Sequence, residues 1–353
     1  MGAPKTGNVR NVVLVGQGGV GKTSLAEAML HLSGKTARLG GHDGTKPTLD
    51  YDPEEVKRSF SISTTIAPID WKGARINVLD APCYPDFIGD AFAAMSVCET
   101  ALFVVDAEAG PQPTTVKLWY AAEDLRLARA VFVNRLSRSE ASFATTMDLL
   151  QERFGTRLGA VTLPWGEGED FDGIIDLVRM KARHCNGTEA VESEIPEEYR
   201  AQAEEAHDHL CELVAEADDE LMMKYLEGEE LTKEEIKAAL RKATISNEIV
   251  PVVCGSSYKN RGVQKLLDAI VDYMPAPTDV AAIKGTNPET GRPMLVIDSE
   301  NGLIRDRNND KARAEHLNEI NKTRDQFFAQ QDQIKDQMKK YRDMKFPTLE
   351  IKR

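Results

Sequence analysis

Residues 11–24 read Asn-Val-Val-Leu-Val-Gly-Gln-Gly-Gly-Val-Gly-Lys-Thr-Ser and carry three successive signals. The apolar run Val12–Val15 predicts a buried strand. Gly16–Thr23 then fits the phosphate-loop pattern G-x-x-x-x-G-K-[ST]. A helix is expected next, because Leu25, Ala28 and Leu32 recur at helical spacing. A strand, a glycine-rich loop and a helix in this order predict a nucleotide-binding unit.

The residue types of this loop suit a triphosphate. Glycines let the loop curl so that its backbone N–H groups point at phosphate oxygens, and the following helix adds its positive N-terminal end. Lys22 is expected to reach the β- and γ-phosphates, and the Thr23 hydroxyl to bind Mg²⁺. An ordinary glycine-rich turn is the alternative, which the flanking strand and helix disfavour. The predicted phosphate-binding residues are Gly16, Gln17, Gly18, Gly19, Val20, Gly21, Lys22, Thr23 and Ser24.

The composition is that of an acidic globular protein, long enough at 353 residues for two or more packed units. A formal net charge of −13 argues against broad phosphate-backbone binding, so no sequence-specific nucleic-acid partner is expected. Any RNA contact would be local or made beside a protein partner. No apolar run approaches the roughly 18 residues of a membrane span, so no membrane partner is expected. Five cysteines without paired spacing argue against a disulfide framework or a zinc site and predict a cytoplasmic protein.

Strand and helix patterns alternate through the first half of the chain. Strands are predicted at Ser61–Ala67, Arg75–Asp80, Thr100–Asp106 and Ala130–Asn134, and helices at about 87–97, 114–126 and 139–154. A turn is expected at Lys72-Gly73, and residues 33–47 and 50–55 read as a flexible loop. The alternation predicts a doubly wound α/β sheet, with ligands at the carboxyl ends of its strands.

A strongly acidic stretch interrupts this alternation. Short apolar pieces at 161–164 and 174–178 precede acidic helical residues from Glu197 to about Lys242, which predicts an inserted α+β subdomain. The sheet is expected to resume at Ile249–Cys254 and to be closed by a helix at Gln264–Tyr273. Beyond a linker, residues 306–344 predict one long charged helix.

Further polar motifs follow other predicted strands. Asp80-Ala-Pro-Cys-Tyr84 follows one strand, where an aspartate can hold the Mg²⁺ shell through water. Asn134-Arg-Leu-Ser137 ends another strand, and Cys254–Asn260 ends the last. The order resembles the five-motif layout of translational GTPases. An ATP-dependent kinase is disfavoured, because residues 254–260 fit a guanine loop and no lid for an acceptor substrate is recognisable.

Residues 8–287 resemble the nucleotide-binding domain of elongation factor G, including its inserted subdomain. The similar segments, in order and spacing, are Trp165–Val178, Tyr225–Thr232, Asn247–Val252, Lys259–Gln264 and Ile283–Asn287. Gly18–Lys22, Asp50–Glu55 and Tyr84 are more similar to the divergent elongation-factor-G-like branch. The family continues into a β-barrel and further domains, where this chain has charged helix. The resemblance therefore implies a protein without the domains needed for translocation.

The resemblance implies an α/β fold: a doubly wound P-loop GTPase sheet with an inserted α+β subdomain and a long helical C-terminal tail. Residues 8–157 would form the first part of the GTPase domain and residues 158–247 the acidic insert. Residues 248–290 would supply the closing strand, helix and linker, and residues 291–353 a charged helical tail of unknown role.

The resemblance also implies roles for individual residues, with GTP or GDP as ligand and Mg²⁺ as cofactor. Lys22 and Tyr84 would be catalytic, and Thr23, Ser61 and Asp80 would hold the metal. Beyond the phosphate loop, the residues implied in nucleotide binding are Asp80, Cys83, Asn134, Arg135, Ser137, Ser256 and Ser257.

The chain departs from the family's motifs at three places. Ser61 stands where the first switch has a threonine, so Ser61 is expected to supply the Mg²⁺ oxygen. Cys83 replaces a glycine and Tyr84 replaces the water-orienting histidine, and a phenol is a poor base near neutral pH. Ser137 replaces the aspartate that accepts two hydrogen bonds from guanine. An unpaired polar group costs about 1–3 kcal/mol, so weakened guanine preference is expected.

Two functions remain open from the sequence. The leading hypothesis is a GTP-binding switch domain with slow or ribosome-dependent hydrolysis. The alternative is a non-hydrolysing module that docks on the ribosome or its stalk protein through the acidic insert, with the altered motifs at Cys83 and Ser137 as its motive.

Overall fold

A computed structural model of the chain describes residues 4–41, 46–155, 157–186, 189–280, 284–286 and 293–295. The described residues up to 280 belong to one compact unit, and the two short strands after them belong to a second unit. The predicted helix at 306–344, and with it most of the predicted tail, lies outside the described residues.

Strands and helices alternate through residues 9–154, and after them five strands and then three helices follow one another. In chain order, the strands are β1 (Val9–Val15), β2 (Thr65–Trp71), β3 (Ala74–Asp80), β4 (Thr100–Asp106), β5 (Ala128–Asn134), β6 (Leu158–Ala160), β7 (Thr162–Trp165), β8 (Gly173–Asp176), β9 (Lys181–Asn186), β10 (Glu189–Ser193), β11 (Val250–Cys254), β12 (Lys284–Thr286) and β13 (Pro293–Leu295). The helices are α1 (Lys22–Leu32), α2 (Pro53–Arg58), α3 (Ile88–Met95), α4 (Pro113–Asp124), α5 (Phe143–Phe154), α6 (Glu197–Glu216), α7 (Asp219–Leu226), α8 (Lys233–Ile245) and α9 (Val263–Tyr273).

Seven of the described strands form one mixed sheet, in the order β2-β3-β1-β4-β5-β11-β6. Its neighbouring strands are parallel, except that β2 runs antiparallel to β3. Every residue of β4 and β5 is buried, as expected for strands covered on both faces. The predicted α/β class, with its P-loop GTPase type of sheet, is therefore confirmed for the described residues.

The first hairpin of the sheet corrects one predicted boundary. The turn at Lys72-Gly73 is confirmed, with φ of +47° and +80°, the two left-handed residues that a tight hairpin favours. Strand β2 begins at Thr65 and not at Ser61. The backbone N–H groups of Ile62 and Ser63 donate to the Glu55 carboxylate, so they are not available to a strand neighbour.

Helix α2 corrects the loop that was predicted over residues 50–55. Asp52 caps the helix by accepting from Glu54 N, and Glu55 returns the bond to Asp52 N in a capping box. Pro53 occupies the first helical turn, where its missing N–H costs nothing. The turn-forming residues of this stretch therefore start a helix.

The predicted insert contributes a second sheet. Among the described residues, β7 to β10 form an antiparallel sheet of four strands, in the order β10-β9-β8-β7. Strand β6, which begins at the predicted boundary of residue 158, instead pairs with β11 and belongs to the large sheet. The predicted insert also contacts the closing helix of the GTPase domain, because Asp176 of β8 forms a buried ion pair of 2.7 Å with Lys265 of α9. The insert is thus joined to the large sheet at its first strand, and its boundaries stay predictions.

Candidate nucleotide-binding site

A cavity of about 540 Å³ lies beside the loop that follows β1. Its other walls come mainly from residues 40–41, from residues between 46 and 61, and from residues 81–84 after β3. The predicted site residues that line the cavity are Gly18, Gly19, Gly21, Lys22, Thr23, Ser24, Ser61, Cys83, Tyr84 and Arg135. The predicted residues that are not part of its lining are Gly16, Gln17, Val20, Asp80, Asn134, Ser137, Ser256 and Ser257.

Two glycines show why the phosphate loop, residues 16–23, has its composition. Gly16 has φ of +144°, and a Cβ there would lie 2.4 Å from the carbonyl oxygen of Val104 on β4. Gly21 has φ of +95°, and a Cβ there would lie 2.7 Å from Nδ2 of Asn134. Only glycine fits such close approaches at left-handed φ. The loop is therefore pressed against the ends of β4 and β5.

Lys22, the first residue of α1, folds back over this loop. Its side chain is buried, and Nζ donates to the carbonyl oxygen of Gln17 at 3.0 Å and to that of Gly16 at 3.5 Å. Gln17 itself is anchored to the start of α4, because its side-chain oxygen accepts from Thr114 N at 3.1 Å. The ammonium therefore lies beside the loop, where a bound phosphate oxygen would contact it, and does not extend into solvent.

Hydroxyl and carboxylate oxygens converge beside Thr23. Thr23 Oγ1 lies 3.0 Å from Ser61 Oγ, and Ser61 in turn donates to Asp50 at 2.8 Å. Asp80 is buried, and its Oδ1 has no hydrogen-bond partner within the described part of the chain. Burial raises the pKa of Asp80 to about 6, while Thr23 and Lys22 act in the opposite direction.

This donor set fits Mg²⁺, which prefers oxygen ligands and keeps several waters. Within the described residues, no group of three or more histidines, cysteines or carboxylates converges as a metal cage. An ion would therefore depend on Thr23, Ser61, Asp80, water and phosphate oxygens together. Asp50, which the sequence did not indicate as a site residue, holds Ser61 in place by accepting its hydrogen bond.

Two buried glutamates that sequence reasoning missed fix the segment carrying these oxygens. Glu27 on α1 is fully buried, and its Oε1 accepts from the backbone N–H groups of Thr48 and Leu49. Glu55 on α2 accepts from Ile62 N at 2.8 Å and from Ser63 N at 3.1 Å. The capping-box spacing was a readable signal for Glu55. Glu27 has no such signal, because its partners lie 21 and 22 residues away.

Cys83 and Tyr84 occupy the side of the cavity beyond Asp80. Cys83 is fully buried, and burial raises the pKa of its thiol. The Tyr84 ring packs on Phe60, with ring centroids 4.9 Å apart. A Cβ on Gly18 would lie 2.8 Å from the Tyr84 ring, so the ring covers this part of the phosphate loop. Phe60, which sequence reasoning did not select, holds the ring there.

The loops after β5 and β11 are joined to the phosphate loop by Asn134. Its Nδ2 donates to the carbonyl oxygen of Val20 at 2.9 Å, and its Oδ1 accepts from Ser257 N at 2.9 Å. Ser137 Oγ lies 2.9 Å from Ser256 Oγ. The predicted residues of the base site therefore lie together, next to the phosphate loop.

Arg135, which lines the cavity, joins the loop after β5 to the end of β4 and to the phosphate loop. It adopts a left-handed φ of +69°, and its guanidinium donates to Asp106 at 2.6 Å and to the carbonyl oxygen of Gly19. Asp106, at the end of β4, was missed because a buried strand-end aspartate looks like a strand terminator in the sequence. The pair holds Arg135 against the loop.

Comparison with known proteins identifies the family. The model of the elongation factor Tu GTP-binding domain matches residues 7–276, which is most of the chain. The chain belongs to this family of translational GTPases. Its members are generally GTPases that use GTP, GDP and Mg²⁺. The predicted membership among translational GTPases is confirmed.

A solved structure resembles this translational GTPase domain over most of its length. The crystal structure of ttk003000868 from Thermus thermophilus is 35% identical, covers 77% of this chain and has a TM-score of 0.73. The chain covers 41% of that protein's length. No helix among the described residues is long and apolar enough to cross a bilayer.

Proposed function

We propose that this translational GTPase domain binds GTP and GDP with Mg²⁺ as the switch domain of an elongation-factor-G-like factor. The observation that supports it best is the position of Lys22, buried over the loop carbonyls beside the oxygens of Thr23, Ser61 and Asp80. Hydrolysis of GTP would be slow, or would depend on a partner such as the ribosome.

Binding would be mainly electrostatic. The N–H groups of the phosphate loop, the N-terminal end of α1 and the Lys22 ammonium would hold the β- and γ-phosphates. Thr23, Ser61 and Asp80 would hold the metal shell. When bound, Mg²⁺ supplies positive charge to the β- and γ-phosphate oxygens. Asn134, Arg135 and the loop at Ser256-Ser257 would place the nucleoside.

Hydrolysis would need a water in line with the bond that breaks, between the γ-phosphorus and the oxygen that bridges to the β-phosphate. Tyr84 would orient that water. This role is supported by the position of its ring over Gly18 and of its hydroxyl near Gly19. A phenol orients water by hydrogen bonding and is a poor base near neutral pH. Slow intrinsic turnover follows from this arrangement.

Several features favour the elongation-factor-G-like branch. The antiparallel sheet and helices α6 to α8 stand where the resemblance places an insert. Helix α6 of this insert is rich in acidic residues. The ribosome and its stalk protein would be the candidate partners of this acidic surface. A cytoplasmic location is part of the same proposal.

Calorimetric titration with GTP and GDP in excess Mg²⁺ tests nucleotide binding. Dissociation constants below about 100 μM are expected, which correspond to about 5–6 kcal/mol. Absence of binding by both nucleotides at that level would contradict the proposal. Release of phosphate, measured with and without purified ribosomes, tests partner-dependent turnover.

A non-hydrolysing docking module is the second candidate. It is favoured by Cys83, which fills the position of a glycine with a buried thiol, and by Tyr84, whose ring covers the loop. If nucleotide is irrelevant to docking, the wild type and Lys22→Ala would bind ribosomes equally well. Our first proposal expects ribosome binding that depends on GTP in the wild type and loses that dependence in Lys22→Ala.

A further inference from the structure

We propose that the β2–β3 hairpin transmits the state of the nucleotide site to the four-stranded sheet of β7 to β10, and that Asp268 of α9 is the residue at which the two parts exchange partners. The inference rests on the proposed function, because it assumes that GTP and GDP occupy the cavity. It goes beyond that function by naming how occupation of the site reaches the second sheet.

One end of the hairpin begins at the proposed metal site. Strand β3 ends at Asp80, and Thr65 at the start of β2 pairs with it. Thr65 Oγ1 also donates to the carbonyl oxygen of Leu49 at 3.2 Å. Strand β2 lies at the edge of the seven-stranded sheet, and β3 is its one neighbour in that sheet among the described strands. A displacement of the segment that carries Ser61 is therefore passed to β2 without the loss of a second strand pairing.

The other end of the hairpin, its tip at Trp71 and Lys72, reaches a carboxylate on α9. All seven residues of β2 pair with β3, and a strand of this length spans about 20 Å. At the tip, Trp71 Nε1 donates to Asp268 Oδ1 at 2.9 Å, and Lys72 Nζ lies 2.7 Å from the same oxygen. Asp268 is buried. A shift of the tip would therefore deprive a buried carboxylate of two partners at once.

The second oxygen of Asp268 faces the other sheet. Arg183 Nη1 on β9 lies 3.5 Å from Asp268 Oδ2, which is longer than a close ion pair. The same guanidinium contacts Glu192 of β10, and its buried Nε has no hydrogen-bond partner within the described part of the chain. Removal of one partner from a buried charge is costly unless another replaces it. When the tip withdraws, Asp268 closes on Arg183 and its charge stays paired.

Helix α9 is the fixed reference for this exchange. Lys265, three residues before Asp268, forms a buried ion pair of 2.7 Å with Asp176 of β8. Asp176 also accepts from the backbone N–H groups of the two residues at 178 and 179. Because this pair holds α9 against β8, an exchange of partners at Asp268 acts on β9, the next strand. The two arrangements of Asp268 form the two-state element that coupling between sites requires.

Amide hydrogen exchange of the full chain tests the inference, with either GDP or a GTP analogue that cannot be hydrolysed bound in excess Mg²⁺. Exchange of the β9 amides is expected to differ by about fivefold or more between the two nucleotides, at the lower end of allosteric couplings. Lys72→Ala and Trp71→Phe each remove one contact of the tip with Asp268 and should reduce this difference. Asp70→Asn breaks ion pairs of the neighbouring residue without touching Asp268, so this matched control should preserve it.

A second readout separates coupling from a merely structural role. Coupling between sites is reciprocal, so the ratio of the dissociation constants for GTP and GDP should change in Lys72→Ala and Trp71→Phe and stay as in the wild type in Asp70→Asn. A structural contact alone would leave this ratio unchanged. Lys72 is more than half exposed, so Lys72→Ala is expected to fold even if Trp71→Phe does not.

The outcomes separate this inference from the proposed function. Equal exchange of the β9 amides with the two nucleotides, when calorimetry shows that both bind, would overturn the inference and leave the proposed function standing. A difference that persists undiminished in Lys72→Ala and Trp71→Phe would also overturn it. Binding of neither nucleotide would overturn both.

Discussion

The phosphate loop and residues 46–63, a segment beyond helix α1, are held in place by different interactions. The loop depends on glycines, on Lys22 folded over its carbonyls and on the Asn134 amide. The segment depends on two buried carboxylates, Glu27 and Glu55, which accept its backbone N–H groups. The first region keeps the residue types that phosphate requires, and the second carries Ser61, one of the three places where the resemblance implies a departure from the family's motifs.

This difference between the two regions indicates which kind of ligand contact tolerates a change of residue. Backbone N–H donors can be presented to phosphate only by a loop of nearly fixed shape, so the loop leaves little freedom of sequence. A metal oxygen can come from a serine as well as from a threonine, provided that something else positions it. Asp50 positions Ser61 at 2.8 Å, and Glu55 holds the two residues after Ser61. If Ser61 supplies the metal oxygen, as we propose, the carboxylates of Asp50 and Glu55 hold it in position.

The largest effect is expected at the phosphate loop. Lys22→Ala removes the ammonium, and GTP affinity should fall by about 100-fold or more, because a charge-assisted hydrogen bond contributes about 1.5–3 kcal/mol and Lys22 would make more than one. Calorimetry measures the change. Lys233→Ala, on the exposed start of α8, is the matched control and should bind GTP as the wild type does. If Lys22→Ala bound GTP with wild-type affinity, the phosphates could not lie against the Lys22 ammonium, and the proposed site would be wrong.

A second large effect is expected at Asp80, the buried carboxylate near Thr23 and Lys22 of the phosphate loop and near Asp50 of the segment 46–63. Burial raises the pKa of Asp80 from its ordinary 3.8 to about 6, so the folded state holds a proton that the unfolded state releases. The stability contributed by Asp80 is therefore full below pH 3.8 and is lost as pH rises through about 6. Without nucleotide and Mg²⁺, Asp80→Asn should be more stable than the wild type by about 3 kcal/mol at pH 7.5, with a smaller difference at pH 5.

Urea unfolding at the two pH values measures this difference. Asp86→Asn, at an exposed residue of the same segment, is the matched control and should change stability at pH 7.5 by much less than Asp80→Asn does. An Asp80→Asn protein whose advantage is equal at pH 5 and pH 7.5 would show that Asp80 is not the titrating group.

A smaller effect is expected in the segment of residues 46–63. Glu55→Ala leaves the N–H groups of Ile62 and Ser63 without their acceptor and releases Ser61 from its position. The Mg²⁺ concentration that gives half-maximal GTP binding should rise about five- to tenfold, corresponding to the loss of about one hydrogen bond's net contribution. Glu54→Ala, the exposed neighbour, is the control and should leave it unchanged. A drop in GTP affinity that is equal at all Mg²⁺ concentrations would contradict this role.

The sequence predicted the parts of the molecule that local pattern determines. Strand β4 has the predicted bounds of Thr100–Asp106, because an unbroken apolar run between polar residues has no other stable place than a buried strand. The turn at Lys72-Gly73 followed from turn chemistry. From the phosphate-loop pattern, Lys22 was expected to reach the β- and γ-phosphates. That role stays a prediction, and the buried position of the ammonium beside the loop is compatible with it.

The missed features depend on partners distant in sequence. The start of β2 was placed four residues early because nothing near Ser61 shows that Glu55 captures the next two N–H groups. Glu27 carries no local signal, because its partners, Thr48 N and Leu49 N, come from the segment after α1. The helix α2 was different, since its Asp-Pro-Glu-Glu start is a capping signal that loop-like composition obscured.

The smallest effect is expected at Tyr84, where the two regions meet. If the phenol only orients water, Tyr84→Phe keeps the ring on Phe60 and over Gly18, and ribosome-stimulated turnover should change by less than about threefold, far below the roughly 10²–10⁴ of a true acid–base group. Tyr84→His restores an imidazole that can hydrogen-bond water more strongly, and turnover should rise about tenfold at unchanged KM. Tyr120→Phe, at an exposed tyrosine of α4, is the control and should not alter turnover. A loss of about 100-fold or more in Tyr84→Phe would instead show that the hydroxyl takes part in proton transfer. The phosphate loop and the residues facing it would then differ in catalytic chemistry as well as in how they are held in place.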